Sequence, residues 1–394
     1  MTRSVPRSTL PPPGPQEIEH SGALAALIRR RIAEAGGWID FEAFMDLALY
    51  APSLGYYRAG GAKLGAGGDF TTAPELSDLF SRCIARQCAE ILEEVGGGIV
   101  EFGAGTGRMA AVVLEELATL DALPDRYAIL EVSAELRDRQ RERIARLPRP
   151  LGDRVTWLDR WPAEPIDGVL LANEVLDALP CRRFALRGGA LRALGVEIAP
   201  DGGFLEAERP ADALLAAACG AALGALPRPL PDDYVSEINL RVEPWIRGVA
   251  EGLRQGVALL VDYGLPRAQL YHPDRTEGTL RCHYRQRVHD APLILPGIQD
   301  ITAWVDFTGV AEAALGAGLD VLGFATQTAF LLGTAIAARA DEPAGPLERI
   351  RAAGEARRLL LPGEMGEAFK VMALGRDYAR PLRGFAHQDL RRSL

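Results

Sequence analysis

Along the chain, short apolar runs alternate with longer segments in which apolar residues recur every three or four positions. The short runs are typical of buried strands, and the longer pattern is typical of amphipathic helices. Strands are predicted at 99–102, 127–131, 155–158, 168–172, 256–262, 319–326 and 369–374, with helices between them, including one at 301–317. The alternation predicts an α/β fold with a largely parallel sheet. The last two strands lack a short parallel crossover, which fits a terminal antiparallel pair.

Two regions interrupt this alternation. Helical patterns at 19–35 and 39–50, followed by a glycine-rich loop, predict an N-terminal helical cap and lid. A hairpin pattern and an alanine-rich helix at 211–225 predict an inserted subdomain on the substrate side. The predicted division is a disordered arm at 1–18, the cap and lid at 19–95, the α/β core at 96–180 and 236–378 with a lid loop at 265–298, the insertion at 181–235, and a C-terminal tail at 379–394.

The first core strand runs directly into three glycines, Gly103, Gly105 and Gly107, and then into a helix. A dinucleotide fingerprint, G-x-G-x-x-G, would need a glycine where Arg108 stands. Glu101, at the end of the strand, would repel a pyrophosphate but suits a ligand with a cationic amino group and a sulfonium. S-adenosylmethionine (SAM) carries both groups. The motif alone leaves open a glycine-rich turn that binds nothing.

Acidic and amide side chains follow the next core strands. Glu131 ends the second strand 24 residues beyond Gly107, close to the spacing of about 20 residues at which a carboxylate binds ribose hydroxyls. Asn173, Glu174 and Asp177 follow the fourth strand, and ligands of open α/β sheets bind at the carboxyl ends of the strands. A helical turn would present Glu174 and Asp177 on one side. Helix capping is the alternative for Asn173 and Asp177, whereas for Glu174 we favour a functional role.

Composition limits the remaining classes of function. The chain has 394 residues and a formal net charge of −9, which argues against a dedicated nucleic-acid binder. No apolar run is long enough to span a bilayer. The five cysteines are scattered and odd in number, as expected of buried thiols in a reducing compartment. Neither the cysteines nor the five histidines have metal-ligand spacing, so no metal site is predicted. The net charge and the short apolar runs likewise predict no nucleic-acid binding and no membrane insertion.

Several stretches together identify a family resemblance. They are 44–57, 68–75, 101–107, 173–180, 260–264, 300–307 and 365–372. With these stretches the chain resembles the MidA-like class I SAM-dependent methyltransferases, whose mitochondrial members are complex I assembly factors that act as protein arginine methyltransferases. The glycine loop is shared by all class I methyltransferases, whereas Asp69-Phe-Thr-Thr and Asn173-Glu-x-x-Asp-Ala-Leu-Pro180 are specific to this family. At position 304 the family usually has His, and this chain has Trp304.

The resemblance implies a Rossmann-like, seven-stranded mixed sheet whose last strand is antiparallel. It implies that the glycine loop packs on the methionine part of SAM and that Glu131 binds the ribose. It further implies that Asp69, Phe70 and Thr71 cover the cofactor. The cofactor-binding residues predicted on these grounds are Glu101, Gly103, Ala104, Gly105, Gly107, Glu131, Asp69, Phe70, Thr71 and Asn173.

The predicted chemistry is transfer of a methyl group to a protein arginine. Glu174 and Asp177 would hold the guanidinium and accept its proton, and Asn173 would help to place the donor methionine group. A small-molecule methyltransferase and a SAM-binding scaffold with little turnover are the alternatives. The expected partner is a protein that presents an arginine, with a respiratory-complex subunit as one candidate, and a homodimer is left open. The expected location is the cytoplasm for a bacterial protein and the mitochondrial matrix for a eukaryotic one.

Overall fold

The structure, a computed structural model, describes residues 10–59, 68–69, 71–162, 164–342 and 345–394. The strands are β1 (Ile39–Asp40), β2 (Gly98–Phe102), β3 (Tyr127–Leu130), β4 (Val155–Leu158), β5 (Ile166–Asn173), β6 (Arg182–Arg187), β7 (Ala190–Ile198), β8 (Phe204–Pro210), β9 (Val235–Ile238), β10 (Leu253–Leu265), β11 (Arg281–Tyr284), β12 (Arg287–His289), β13 (Asp300–Thr302), β14 (Val305–Asp306), β15 (Asp320–Thr326) and β16 (Phe369–Arg376).

The helices separate and flank these strands. They are α1 (Pro15–Glu34), α2 (Phe41–Tyr50), α3 (Ala73–Leu76), α4 (Asp78–Val95), α5 (Arg108–Thr119), α6 (Ala134–Ile144), α7 (Arg149–Gly152), α8 (Ala213–Gly224), α9 (Val242–Gly252), α10 (Arg267–Leu270), α11 (Phe307–Gly316), α12 (Gln327–Gly333), α13 (Ile336–Asp341) and α14 (Pro346–Leu360). Two 3₁₀ helices, Arg383–Phe385 and Arg391–Ser393, follow. Within the described residues, no helix combines the length and apolarity needed to cross a bilayer.

The central sheet has seven strands in the order β15-β16-β10-β5-β2-β3-β4, and the two-residue β14 pairs in parallel with the end of β10. The strands from β10 to β4 are mutually parallel, and β16 is antiparallel to both of its neighbours. The prediction of a seven-stranded mixed sheet with an antiparallel last strand is therefore confirmed. Consecutive residues of each central strand point to opposite faces, and both faces are apolar. Val169 packs in the cluster that includes α4 and α5, whereas Leu170 packs in the cluster that includes α9 and α11.

A second sheet joins the N-terminal cap to the insertion. Its order is β1-β7-β6-β9. β1 and β6 pair with successive parts of one edge of β7, and β8 pairs with the opposite edge. Ile39 of the cap lies opposite Val196 of the insertion, and Phe41 and Phe44 of α2 pack in the same apolar cluster as Val196. The cap and the insertion therefore share a sheet and a core, although the sequence predicts them as separate units.

Three predicted boundaries differ from the structure. The first helix begins at Pro15, inside the predicted arm at 1–18, because Pro is favoured in the first turn and Glu17 closes a capping box with Gly14. The predicted lid loop at 265–298 contains α10, β11 and β12, and β11 pairs with both β12 and β13 in a three-stranded sheet. The helix predicted at 301–317 begins only at Phe307, because the backbone of β13 is hydrogen-bonded to β11. The predicted lid residues 60–67 and the arm residues 1–9 lie outside the described residues.

Candidate active site

A cavity of about 1040 Å³ opens at the carboxyl ends of β2, β3, β5 and β10. Ligands of open α/β sheets bind at this edge. The described site residues that the sequence predicts all line it except Gly107: Glu101, Gly103, Ala104, Gly105, Glu131, Asp69, Thr71, Asn173, Glu174 and Asp177. Phe70 lies outside the described residues. Gly107 is instead the N-cap residue of α5, and its Cα lies against Gln140.

The glycine turn after β2 has a left-handed backbone. Gly103, Gly105 and Gly107 have φ angles of 65°, 53° and 78°, which side-chain-bearing residues rarely adopt. The Gly105 carbonyl accepts a hydrogen bond of 2.9 Å from the Gln140 amide. Gln140 is itself held by the Trp157 indole, which donates to its side-chain oxygen at 2.9 Å. A residue that the sequence did not single out therefore fixes this turn.

Glu131 is buried next to the same glutamine. Its Oε1 accepts from the Ser133 backbone N–H at 3.0 Å, and its Oε2 accepts from the Gln140 amide at 3.1 Å. Burial raises the pKa of Glu131, and these hydrogen bonds oppose that rise. Because a carboxylate offers about four acceptor positions, Glu131 can still accept a hydrogen bond from a ligand.

Glu101 carries its carboxyl group into the cavity from the end of β2. It is 1 % exposed, and the Tyr127 hydroxyl donates to its Oε2 at 2.7 Å. The pKa of Glu101 is raised to about 7, and burial is the largest cause of this rise. A cationic ligand group would favour the ionised form, because an opposite charge nearby lowers a carboxyl pKa.

The segment after β5 is a turn and not a helix. Glu174 has a left-handed φ of 54°, and its N–H donates to the Val261 carbonyl. The Asp262 Oδ2 accepts from the backbone N–H groups of Leu176 and Asp177, at 2.9 and 3.2 Å. The left-handed φ of Glu174 and the bond of its N–H to β10 interrupt a helical conformation, so the predicted helical turn is wrong, as is the alternative that Asn173 or Asp177 caps a helix. Asp262, for which the sequence indicated no role, positions Asp177.

Glu174 and Asp177 face the same cavity and influence each other. Burial first, and then the Asp177 charge, raise the pKa of Glu174 to about 8, while the hydrogen bond from the Asn173 amide opposes the rise. Burial raises the pKa of Asp177 to about 6 against a hydrogen bond from Tyr263. The Asn173 Oδ1 and the Asp177 Oδ1 are buried acceptors without a partner in the part of the chain that the structure describes. Such acceptors are costly unless a ligand satisfies them.

The cap side of the cavity is tied to the β11–β12 hairpin. The Asp69 carboxylate accepts from the Tyr56 hydroxyl at 2.9 Å and from the Arg285 backbone N–H at 2.6 Å. The Gln286 side chain donates to the Gly68 carbonyl at 2.8 Å. Asp69 thus anchors the cap to the hairpin, and its contact with the cofactor stays a prediction, as does that of Thr71.

A protein-family model described as "Putative S-adenosyl-L-methionine-dependent methyltransferase" matches residues 83–325. The chain belongs to this family. The resemblance that the sequence motifs indicate is confirmed, and SAM is the cofactor.

Relatives of this SAM-dependent methyltransferase match over most of their length. The Protein arginine methyltransferase NDUFAF7 homolog, mitochondrial, of Drosophila melanogaster is 29 % identical in an alignment of 386 positions, which covers 90 % of this chain and 85 % of the relative. The Danio rerio Protein arginine methyltransferase NDUFAF7, mitochondrial, is 29 % identical in an alignment that covers 86 % of this chain and 84 % of that relative. A crystal structure of a Burkholderia thailandensis protein bound to S-adenosyl-homocysteine (SAH) has a TM-score of 0.93 and 42 % identity, covering 98 % of this chain and 100 % of that chain.

The side chains of the methyltransferase cavity fit SAM. Glu101 offers a buried negative charge beside the glycine turn, which suits the amino group of the methionine part. Glu131 offers free acceptor positions, which suit the ribose hydroxyls. The unpartnered Asn173 Oδ1 suits a further donor of the ligand. The described residues contain no group of three or more His, Cys, Asp or Glu side chains arranged to hold a metal ion.

Proposed function

We propose that this methyltransferase transfers the methyl group of SAM to a guanidinium nitrogen of a protein arginine. The observation that carries the proposal is a pair of carboxyl groups, half-buried Glu174 and buried Asp177, in the same cavity as the glycine turn. One of their oxygens, the Asp177 Oδ1, has no partner within the described residues. The names of the animal relatives support the same acceptor.

The carboxyl pair suits the difficulty of this reaction. When bound, SAM supplies a methyl group on a positively charged sulfur, which leaves as a neutral thioether. A guanidinium is a poor nucleophile because it stays charged at every physiological pH. Glu174 and Asp177 would hold the guanidinium by charge-assisted hydrogen bonds and align one nitrogen with the methyl carbon. As the new N–C bond forms, that nitrogen loses a proton, and Glu174, whose pKa is the higher of the two, is the better acceptor.

The acceptor protein and the assembly state are part of the proposal. The curated relatives carry the word mitochondrial in their names. We therefore place a subunit of a respiratory complex first among the acceptor proteins to be screened. We also propose a homodimer, which light scattering behind a sizing column measures directly; a mass of one chain would contradict it.

Methyl transfer to matched peptides tests the acceptor. The purified protein is incubated with SAM carrying a labelled methyl group and with peptides that differ only in one Arg, Lys or citrulline. We expect label on Arg, located by mass spectrometry. In Glu174→Gln, kcat should fall by about 10²- to 10⁴-fold while the Kd for SAM stays unchanged. The matched control is Glu115→Gln, at an exposed position on α5.

Two outcomes would replace the proposal. Transfer to small amines or to Lys, without transfer to Arg, would make the protein a methyltransferase with another acceptor. SAM binding without transfer to any acceptor, together with full function of Glu174→Gln in cells, would favour a SAM-binding scaffold.

A further inference from the structure

We propose that Asp300 determines acceptor specificity, because it completes with Glu174 and Asp177 a wall of three carboxyl groups that admits an arginine side chain only as a cation. We call these three residues the carboxyl wall. The inference deepens the proposed function and rests on it. The sequence pattern indicates no role for Asp300, which directly precedes the helix predicted at 301–317.

Asp300 is held in the cavity by two elements other than its own. It is the first residue of β13 and pairs with His283 of β11. Its side chain is 2 % exposed, and its Oδ1 accepts from the Tyr57 hydroxyl at 2.8 Å and from the Ile301 backbone N–H at 2.9 Å. Both hydrogen bonds go to Oδ1. The cap thus orients a carboxyl group that belongs to the small sheet.

The turn that carries Glu174 and Asp177 is bonded to the segment after Asp300. The Ala303 backbone N–H donates to the Asp177 carbonyl at 3.0 Å. The three carboxyl groups are also electrostatically connected. Burial first, and then the Asp177 charge, raise the pKa of Asp300 to about 8, and the Asp300 charge contributes to the raised pKa of Glu174. The wall therefore has three members that repel one another when ionised.

Within the described residues, the groups that shift the pKa values of the carboxyl wall most do not include a cation. They are one another, Asp69, the phenols Tyr57 and Tyr263, amides and burial. Tyr50 also faces Asp177 and Asp300 and stays neutral, because burial raises its pKa well above the usual value. His283, on the neighbouring strand, is neutral as well, because burial lowers its pKa to about 4.

Within the described residues, three arginines line the cavity: Arg275, Arg281 and Arg358. Arg275 donates to the carbonyls of Gln269 and Leu270 and lies 5.6 Å from the Trp304 ring centroid. Arg281 donates to the Leu280 carbonyl. None of the three is among the groups that shift the pKa values of the carboxyl wall most. We therefore expect the ligand to supply the positive charge that compensates the wall.

A guanidinium satisfies this wall better than an ammonium or a neutral group. It has five N–H donors in a planar fork, which can reach carboxyl groups on several sides, whereas an ammonium is a point charge with three donors. A citrulline side chain has nearly the same shape but no charge, so it would leave the carboxyl groups uncompensated. Tyr50 and Tyr57 stack with ring centroids 5.5 Å apart, and such rings can flank a planar cation. Binding should also release protons from Glu174 and Asp300.

Calorimetric titration of the SAH complex tests the wall without relying on turnover. The probes are three peptides that differ only in one Arg, citrulline or Lys, each titrated at pH 7 in two buffers of different ionisation enthalpy. We expect the Arg peptide to bind at least tenfold more tightly than the citrulline peptide, with release of about one proton. In Asp300→Asn, we expect at least a tenfold loss for the Arg peptide, a smaller preference over citrulline, less proton release and an unchanged Kd for SAH.

Two further variants control for folding and for the substitution itself. Asp320→Asn makes the same chemical change at an exposed position on β15 and should behave as the wild type. Tyr57→Phe removes only the hydroxyl that orients Asp300, so it should raise KM for the Arg peptide by about threefold to tenfold, with a smaller effect on kcat. If Asp300→Asn does not fold, the KM of Tyr57→Phe for the Arg peptide tests the role of Asp300 instead.

The outcomes separate this inference from the proposed function. Equal binding of Arg and citrulline peptides by the wild type, or unchanged Arg binding in Asp300→Asn, overturns the carboxyl wall even if arginine is methylated. A preference for Lys that Asp300→Asn abolishes supports the wall as a cation selector and overturns arginine as the acceptor. Failure of all three peptides to bind overturns both.

Discussion

The two halves of the cavity are built in different ways. The half that fits SAM, which we call the cofactor half, consists of Glu101, the glycine turn and Glu131. Its groups come from two adjacent parallel strands and the turn between β2 and α5. The half that we assign to the acceptor, the acceptor half, consists of Tyr57, Glu174, Asp177, Tyr263 and Asp300. Its groups come from the cap, two strand ends and the small sheet.

The difference shows where each half obtains its rigidity. The cofactor half is fixed mainly by backbone geometry close in sequence, with Gln140 as its cross-link. The acceptor half is fixed by side chains distant in sequence, such as Asp262, which holds the turn at Leu176 and Asp177, and Tyr57, which holds Asp300. Substitutions should therefore impair one half and spare the other.

The largest expected effect is at the glycine turn. Gly105→Val places a branched side chain where φ is 53° and where the methionine part of SAM is expected, so saturable SAM binding should be lost in calorimetry. Gly188→Val is the matched control, because Gly188 has a φ of 57° and open space around a Cβ. The control should carry the same backbone strain and bind SAM normally. Equal SAM binding by both variants would contradict the predicted cofactor half.

Removal of the Asp262 carboxylate should impair the acceptor half alone. Asp262→Ala leaves the Leu176, Asp177 and Tyr263 N–H groups without their acceptor and frees the turn that carries the carboxyl groups. Misplacement of reacting groups by about 1 Å can cost about 100-fold in rate, and we expect a loss of kcat of that order. Asp262→Asn keeps one acceptor oxygen and should retain more activity. A Kd for SAM that rises as steeply as kcat falls would show that the halves are not separable.

Glu131→Gln should weaken the cofactor half by a smaller amount. The change removes a charged acceptor, whose hydrogen bonds are worth about 1.5–3 kcal/mol, so the Kd for SAM should rise roughly 10- to 100-fold. With saturating SAM, kcat should return close to that of the wild type. Glu142→Gln, at an exposed position on α6, is the control. A persistent loss of kcat at saturating SAM would place Glu131 in the acceptor half as well.

The pH dependence should report on the acceptor half. Burial raises the pKa of Asp177 to about 6, and burial together with repulsion from Asp177 raises those of Glu174 and Asp300 to about 8. At low pH these groups are protonated and bind a guanidinium poorly, and they ionise as the pH rises. At saturating SAM, kcat/KM for the Arg peptide should therefore increase by about tenfold per pH unit between about 6 and 8 and then level off. A profile that is flat from pH 5.5 to 9 would exclude ionisation of the carboxyl wall as a requirement.

The sequence predicts the cofactor half and the central sheet well, because both depend on local patterns. A buried strand that runs into Gly103, Gly105 and Gly107 leaves few backbone choices, and Glu131 follows at a fixed spacing. The parallel direction of the central strands follows from the same alternation. These features can be inferred without knowing what packs against them.

The acceptor half is less predictable, because long-range hydrogen bonds decide its backbone. The spacing of Glu174 and Asp177 suits a helical turn, yet Glu174 is left-handed and the side chain of Asp262, more than 80 residues away, holds the Leu176 and Asp177 N–H groups in a turn. Asp300 directly precedes the helix predicted at 301–317, yet β13 pairs with β11. The role of Gln140 is equally hidden, since its partners come from three different segments.

The short pairing of β1 with β7 also affects how the protein can be made. Ile39 cannot pair with Val196 until about 150 more residues have been synthesised. At 5–20 residues per second, this takes about 8–30 s. During that interval the glycine turn and the first four core strands, β2 to β5, are synthesised, while the cap has no sheet to join. A nascent chain stalled before residue 190 should therefore expose the apolar face of α2 to proteases and chaperones. A chain released beyond β9 should protect it.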